Sequence, residues 1–209
     1  MPNKNNLIVF ICAIVVTAIA FLPPANAAQG SLANPVFAEI AGPTSIPVGA
    51  AEFCRTHRAD CSPNASVVDA VTLTEALWAD LLQVNANVNG SVVPVTDNQL
   101  YQVAEYWTYP QGYGDCEDIA LEKRRALVEA GWDPSTLLMA VVREQNGNGH
   151  AVLMVRTDRG DLVLDNQDGM IMVWAETPYQ FVKRQSQANP GQWVDFVDNR
   201  AIVTATASN

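Results

Sequence analysis

A cysteine stands among three carboxylates in Gly114-Asp115-Cys116-Glu117-Asp118, where a turn-rich segment gives way to a helix-forming one. Downstream, His150 opens the apolar run Gly149-His150-Ala151-Val152-Leu153-Met154-Val155, and Asp165 closes another, Asp161-Leu162-Val163-Leu164-Asp165-Asn166. Cys, His and Asp in this order are the parts of a thiol nucleophile, its base and the group that orients the base. They predict hydrolase chemistry through a thioester, with Cys116 as nucleophile, His150 as base and Asp165 as the orienting carboxylate. Each residue also has a plain structural alternative: a buried inert thiol, a satisfied core histidine, a turn-forming Asp-Asn. The inert thiol fits poorly beside Asp115, Glu117 and Asp118.

A thiol attacks as its thiolate, and a helix N-terminus beside a histidine favours that form. Asp115 is placed to cap the helix, with Glu117 and Asp118 in its first turn, where carboxylates contribute roughly 0.3 to 1 kcal/mol each. Three negative charges beside a thiolate nevertheless oppose its formation. Something positive must offset them, and Ca²⁺, a hard cation that takes carboxylate and carbonyl oxygens, is the candidate; no EF-hand spacing is present. The Cys116 backbone N–H is the first expected oxyanion donor. Trp107, Tyr109 and Tyr113 are candidates for the second, or for the cleft wall.

The elements that must carry these residues read as follows. Thr72-Leu73-Thr74-Glu75 has capping-box spacing, and Leu73, Leu77, Leu81, Val84 and Val88 recur at helical intervals, so residues 73–88 are expected as an amphipathic helix stopped by Gly90. A shorter helix is expected over 97–107, then a loop through Tyr109-Pro110-Gln111-Gly112-Tyr113-Gly114. Helix 116–130 places Cys116, Ile119, Ala120, Lys123, Leu127 and Ala130 on one stripe against a sheet, and Gly131 ends it. Short strands follow at 137–143, 150–157, 161–165, 171–174 and 193–197. Helices first and an antiparallel sheet afterwards make an α+β domain. If the hairpin turns at Asp158-Arg159-Gly160, Asp165 faces Leu153 or Met154, roughly 10 to 13 Å along the strand from His150, a gap that needs a bulge or shear to close.

Residues 1–27 have the form of a secretory leader: Lys4, an apolar run from Leu7 to Leu22, and Ala25-Asn26-Ala27 at the cleavage site. Of 209 residues, about 180 then remain, enough for one domain with a real core. Residues 28–70, interrupted by Pro35, Pro43, Pro47 and Pro63, are expected as an extended arm, and 71–209 as the catalytic domain. The formal net charge of -10 becomes more negative once Lys4 is lost, which argues against a nucleic-acid partner. The one basic cluster, Lys123-Arg124-Arg125, reads as a solvated helix face. Cys12 lies in the leader. Of the other three cysteines, Cys54 and Cys61 are close enough to close a small loop, and export to an oxidising compartment predicts their disulfide, which leaves Cys116 as the odd thiol.

Trp107-x-x-Pro110 leading into Gly114-Asp115-Cys116-Glu117-Asp118, then His150-Ala151-Val152-Leu153 and Leu164-Asp165-Asn166, resembles the bacterial transglutaminase-like cysteine proteinases, in particular their LapG-type periplasmic branch. The likeness spans roughly residues 70 to 200. It implies a papain/transglutaminase-like fold, with N-terminal helices packed on the antiparallel sheet, and the Cys116, His150, Asp165 triad. It further implies Ca²⁺-dependent cleavage of large surface adhesins near a di-alanine sequence, with Asp115 and Glu117 as calcium ligands. An inner-membrane receptor that senses cyclic-di-GMP is the implied regulator. The Cys54–Cys61 loop and the Pro-rich arm depart from that branch.

Two other readings use the same residues. A thioester can be resolved by an amine instead of water, giving transglutaminase-type acyl transfer, or the enzyme can act as an amidase on cell-envelope peptides. A non-catalytic binding module with a degenerate site would keep the fold and lose the reactive thiol.

Overall fold

The computed structural model describes residues 36–200; the expected leader at 1–27 lies outside the described residues. In chain order the elements are β1 (Ile40–Thr44), α1 (Val48–Thr56), α2 (Glu75–Ser91), β2 (Val93–Pro94), α3 (Asp97–Leu100), β3 (Tyr113–Gly114), α4 (Cys116–Glu129), β4 (Leu137–Arg143), β5 (Gly149–Thr157), β6 (Gly160–Leu164), β7 (Met172–Val173), β8 (Gln180–Gln185) and β9 (Trp193–Phe196). Seven strands form one antiparallel sheet in the order β1-β9-β8-β4-β5-β6-β7, and β2 pairs with β3 in parallel. The domain is α+β, as expected.

Helix α4 packs on β4 and β5, and α2 packs on α4. Thr74 caps α2 by accepting from Leu77 N at 3.2 Å, and Leu81, Asn85 and Val88 form its buried stripe. Gly90 does not stop the helix, which runs one residue further. Helix α4 ends in a Schellman motif: Gly131 lies at φ 94°, its N–H donates to Val128 O, and Trp132 N–H donates to Leu127 O. Glycine takes this left-handed cap without a Cβ penalty.

Both faces of the sheet are covered, which is why β4 and β5 read as unbroken apolar runs. Leu153 and Val155 of β5 meet Leu81, Leu127 and Trp193 on the helix side. Val152 and Met154 meet Ala38, Trp174, Tyr179 and Phe181 on the other. Each fully buried Leu, Met or Phe side chain contributes about 1.5 to 3 kcal/mol relative to exposure.

Three expectations are corrected. The segment 28–70 is not an extended arm over its described part, because its prolines sit where an edge strand or a helix start tolerates them. Pro43 lies in edge strand β1, Pro47 is the N-cap of α1, and Phe53 and Ala50 join the core. The helix expected over 97–107 stops after one turn, since Gln102 turns to φ 60° and Tyr106 N–H folds back onto the Asp97 carboxylate. The basic cluster is not a solvated face. Lys123 and Arg124 are buried, and Arg124 Nε donates to Leu137 O at 3.1 Å with Asp60 at 3.9 Å. Burial lowers the Lys123 ammonium to about 7 against the pull of Asp165. Only Arg125 faces outward, paired with Glu122.

Cys54 and Cys61 form a disulfide, Cα–Cα 5.5 Å, between α1 and the 3-10 turn Arg58–Cys61. Strand β8 was invisible to alternation because Lys183, Arg184 and Gln185 fill half of it.

Candidate active site

Cys116 is the first residue of α4. The parallel pairing of Val93 with Tyr113 and Pro94 with Gly114 fixes the chain just ahead of it. Gly114 is required there: a Cβ at this position would lie 2.7 Å from Asp118 Oδ2 and 2.8 Å from Asp118 Cβ. The Cys116 thiol is half-buried, receives the Ala151 N–H at 3.4 Å and donates to Glu117 Oε2 at 3.1 Å. Burial, then the charge of Glu117 and that hydrogen bond, push the thiol well above its ordinary value, against the Ala151 N–H.

Two cleft arms meet at Cys116 and His150. One, of about 450 Å³, has apolar walls from Pro47, Val48, Trp107 and Val141. The other, of about 240 Å³, is lined by Pro94 and Val95 together with Thr96, Asp115, Glu144 and Gln167. Trp107 is cleft wall, its indole N–H committed to Glu105 at 3.1 Å. Tyr109 donates to Asp60 at 3.0 Å, and Tyr113 is exposed. These three therefore leave the second oxyanion donor unassigned.

His150 Nε2 lies 2.8 Å from Asp165 Oδ1, both side chains nearly fully buried. The expected gap between them closes without a bulge. Leu164 pairs with Leu153, so Asp165 leaves β6 opposite Val152, only two residues from His150. Diagonal neighbours of this kind are ~7–8 Å apart at the backbone, within reach of an imidazole and a carboxylate. By strand alternation His150 shares the row of Val152 and Met154, and Asp165 that of Val163, the face on which Tyr179 packs. Asp165 also accepts from Gln167 N at 3.0 Å and from the Tyr179 hydroxyl. Burial alone would raise its pKa; the hydrogen bonds and charge from His150, followed by the Tyr179 bond, outweigh burial and hold it below the ordinary value. With Nε2–H directed at Asp165, Nδ1 keeps the lone pair, and Gln167 Nε2 stands 3.4 Å from it.

Asp115 is at the N-cap position, but its side chain makes no cap bond. It turns instead to α3, accepting from Asp97 N at 3.2 Å. Asp97, Asp115 and Glu117 each offer an oxygen, all within 4.8 Å of one another. Asp118, fully buried at the next position, accepts from Thr108 N at 2.8 Å. Asp97 Oδ1, Asp115 Oδ1 and Asp118 Oδ2 are buried with no hydrogen-bond partner among the described residues. Burial first, then the charge of Asp115, raises Asp97 to about 6 and Glu117 to about 9. Asp118 rises to about 7, again by burial first and with Asp115 contributing, against the Thr108 N–H. An oxygen-only donor set with orphaned, unwillingly ionised carboxylates is what a hard divalent cation requires. The residues present fit Ca²⁺.

Asp97, Gln167 and Tyr179 were not foreseen. Asp97 carried a local signal, the capping box of Thr96 and Gln99 that orients its turn, but nothing in the spacing joined it to Asp115.

The sequence model of the bacterial transglutaminase-like cysteine proteinases matches residues 40–201. Among solved structures the chain is similar to calcium-bound LapG of Legionella pneumophila, with TM-score 0.50 and 22% identity over 64% of this chain and 75% of that one, a likeness of fold. The EGTA-treated form of the same protein aligns at TM-score 0.48 and 24% identity, over 59% of this chain and 72% of that one. No curated protein sequence matches. The fold is therefore papain/transglutaminase-like, and by the family match over most of its length the chain belongs to the bacterial transglutaminase-like cysteine proteinases and is a cysteine protease.

Proposed function

We propose that Cys116, His150 and Asp165 form the catalytic triad of an exported peptidase that cleaves proteins of the periplasm or cell surface. The observation that carries this reading is the His150–Asp165 bond of 2.8 Å on the strand whose next residue, Ala151, holds the Cys116 sulfur. His150 Nδ1 takes the thiol proton while Asp165 fixes the ring through Nε2–H. The thiolate attacks the scissile carbonyl carbon, and the Cys116 N–H donates to the oxygen as it becomes negative. His150 returns the proton to the departing amine, leaving a thioester. It then takes a proton from water, whose oxygen bonds to the thioester carbon; the C–S bond breaks, the sulfur leaves as thiolate and recovers the proton from His150, and the new carboxylic acid is released.

Asp97, Asp115 and Glu117 would hold Ca²⁺, and bound there the ion supplies positive charge beside the thiol. A surface adhesin as substrate and an inner-membrane receptor as regulator are the partners the family resemblance implies. The leader-like residues 1–27 support export. The test is a proteomic comparison of cells carrying the wild-type chain with cells carrying Cys116→Ala, with EGTA as a second arm. Loss of specific cleavage products in the variant supports the reading. Identical profiles of periplasmic and surface proteins would sink it. Incorporation of a labelled primary amine in place of hydrolysis would move the assignment to acyl transfer.

A further inference from the structure

Asp165 uses both carboxylate oxygens. Oδ1 accepts from His150 Nε2 at 2.8 Å and Gln167 N at 3.0 Å, and Oδ2 accepts from the Tyr179 hydroxyl. The same tyrosine also touches the base: its ring centroid lies 5.3 Å from the His150 imidazole with the planes at 53°. Tyr179 is only 8% exposed and packs with Trp174 and Phe181.

We infer that Tyr179 is a positioning residue for this peptidase, holding the second oxygen of Asp165 with its hydroxyl and walling the His150–Asp165 bond from water with its ring. The inference rests on the proposed role of Asp165 as the orienting group. A carboxylate bonded through one oxygen can still rotate about its broad terminal torsion. A donor on the other oxygen removes that freedom. The plane of Asp165 then sets the direction of Nε2–H, and with it the aim of Nδ1 into the cleft. The surrounding burial keeps this bond in a low-dielectric setting, where it is stronger than in water. The hydroxyl remains a donor throughout the neutral range, since burial and then its bond to Asp165 push its ionisation well upward. The other charged groups acting on the pair are Lys123 from α4, Glu144 after β4 and Asp168 after β6.

A merely structural Tyr179 would be replaceable by phenylalanine, which keeps the ring and removes only the donor. In the full exported chain, with Ca²⁺ present, Tyr179→Phe is expected to lower kcat about 10-fold or more while KM stays constant, the loss appropriate to a hydrogen bond on a charged group. The acid limb of the pH–rate profile should shift, because His150, which acts as the base, then faces a carboxylate with one donor fewer. By NMR, the His150 Nε2–H resonance should move and exchange faster with water. Unchanged kcat, pH limb and resonance would overturn the inference, as would a loss of kcat that only tracks a fall in Tm. If the wild-type chain shows no Cys116-dependent hydrolysis, the catalytic reading fails on that result. The resonance then decides alone, an altered Nε2–H in Tyr179→Phe supporting positioning and an unaltered one overturning it.

Discussion

The Cys116 thiol donates to the side chain of the next residue: Sγ lies 3.1 Å from Glu117 Oε2, while the Ala151 N–H reaches the sulfur from β5 at 3.4 Å. A thiol proton directed at Glu117 is not aimed at His150, so thiol reactivity is tied to the state of the carboxylates. Engaging Glu117 with a cation removes the acceptor and places positive charge beside the sulfur, and both favour the thiolate. Alkylation of Cys116 by iodoacetamide at pH 7, followed by mass spectrometry, should be about 10-fold faster in Ca²⁺ than in EGTA, that being one pKa unit of thiolate. Equal rates in the two conditions would show that the cluster does not govern the thiol.

The same cluster predicts an unusual pH dependence of stability. Asp97, Asp118 and Glu117 are raised to about 6, 7 and 9, above carboxylates in an unfolded chain. Between those limits the folded state binds more protons than the unfolded one, so stability falls as pH rises. Without Ca²⁺, Tm should therefore drop from pH 5 to pH 8, steepest between pH 5 and 6 where all three carboxyls still hold their protons in the folded state, and added Ca²⁺ should flatten the slope. A Tm in EGTA that rises over this range contradicts the crowding of these carboxylates.

Asp97 offers a test in which binding and stability move in opposite directions. Asp97→Asn keeps the size of the side chain and removes one charge from the group within 4.8 Å. Calorimetry should show Ca²⁺ affinity weakened about 10-fold, the equivalent of ~1.4 kcal/mol. In EGTA at pH 8 the variant should melt above wild type, because one like charge is gone. A lower Tm in EGTA would mean that the Tyr106 N–H bond to this side chain outweighs the repulsion.

How far the sequence reveals this site depends on how local each relationship is. The cysteine at a helix start is legible because Gly114 to Asp118 is one continuous stretch, and α4 follows from its own periodicity. The His150–Asp165 pairing was legible in composition but not in register. The hairpin residues suggest a longer separation than the Leu153–Leu164 pairing gives. Asp97 and Tyr179 lie 18 residues before Asp115 and 14 after Asp165, and neither distance carries a period that could have joined them. The burial of Lys123 and Arg124 was hidden for the opposite reason. Charge suggests solvent, but Arg124 meets a strand carbonyl and Asp60 that only the tertiary fold brings to it.

Beneath the cleft wall, the Cys54–Cys61 disulfide closes a loop of sequence separation 7 that carries Asp60 to Tyr109 at 3.0 Å. The Tyr109 ring meets Phe53 at 5.5 Å and His57 at 5.3 Å, so α1 and the disulfide turn grip the segment that leads from Trp107 to Cys116. Constraint of a loop this short in the unfolded chain contributes about 2 kcal/mol in the chain-entropy account. Replacing Cys54 and Cys61 together by serine should lower stability by about that amount in urea titrations. Reductant should lower the wild-type Tm and leave that of the double variant unchanged. Because the loop also anchors Tyr109, and through it the cleft wall at Trp107, kcat/KM should fall in the variant even well below its Tm. Full activity at such temperatures would assign the disulfide to stability alone and leave Asp60, Tyr109 and Arg124 sufficient to hold the wall.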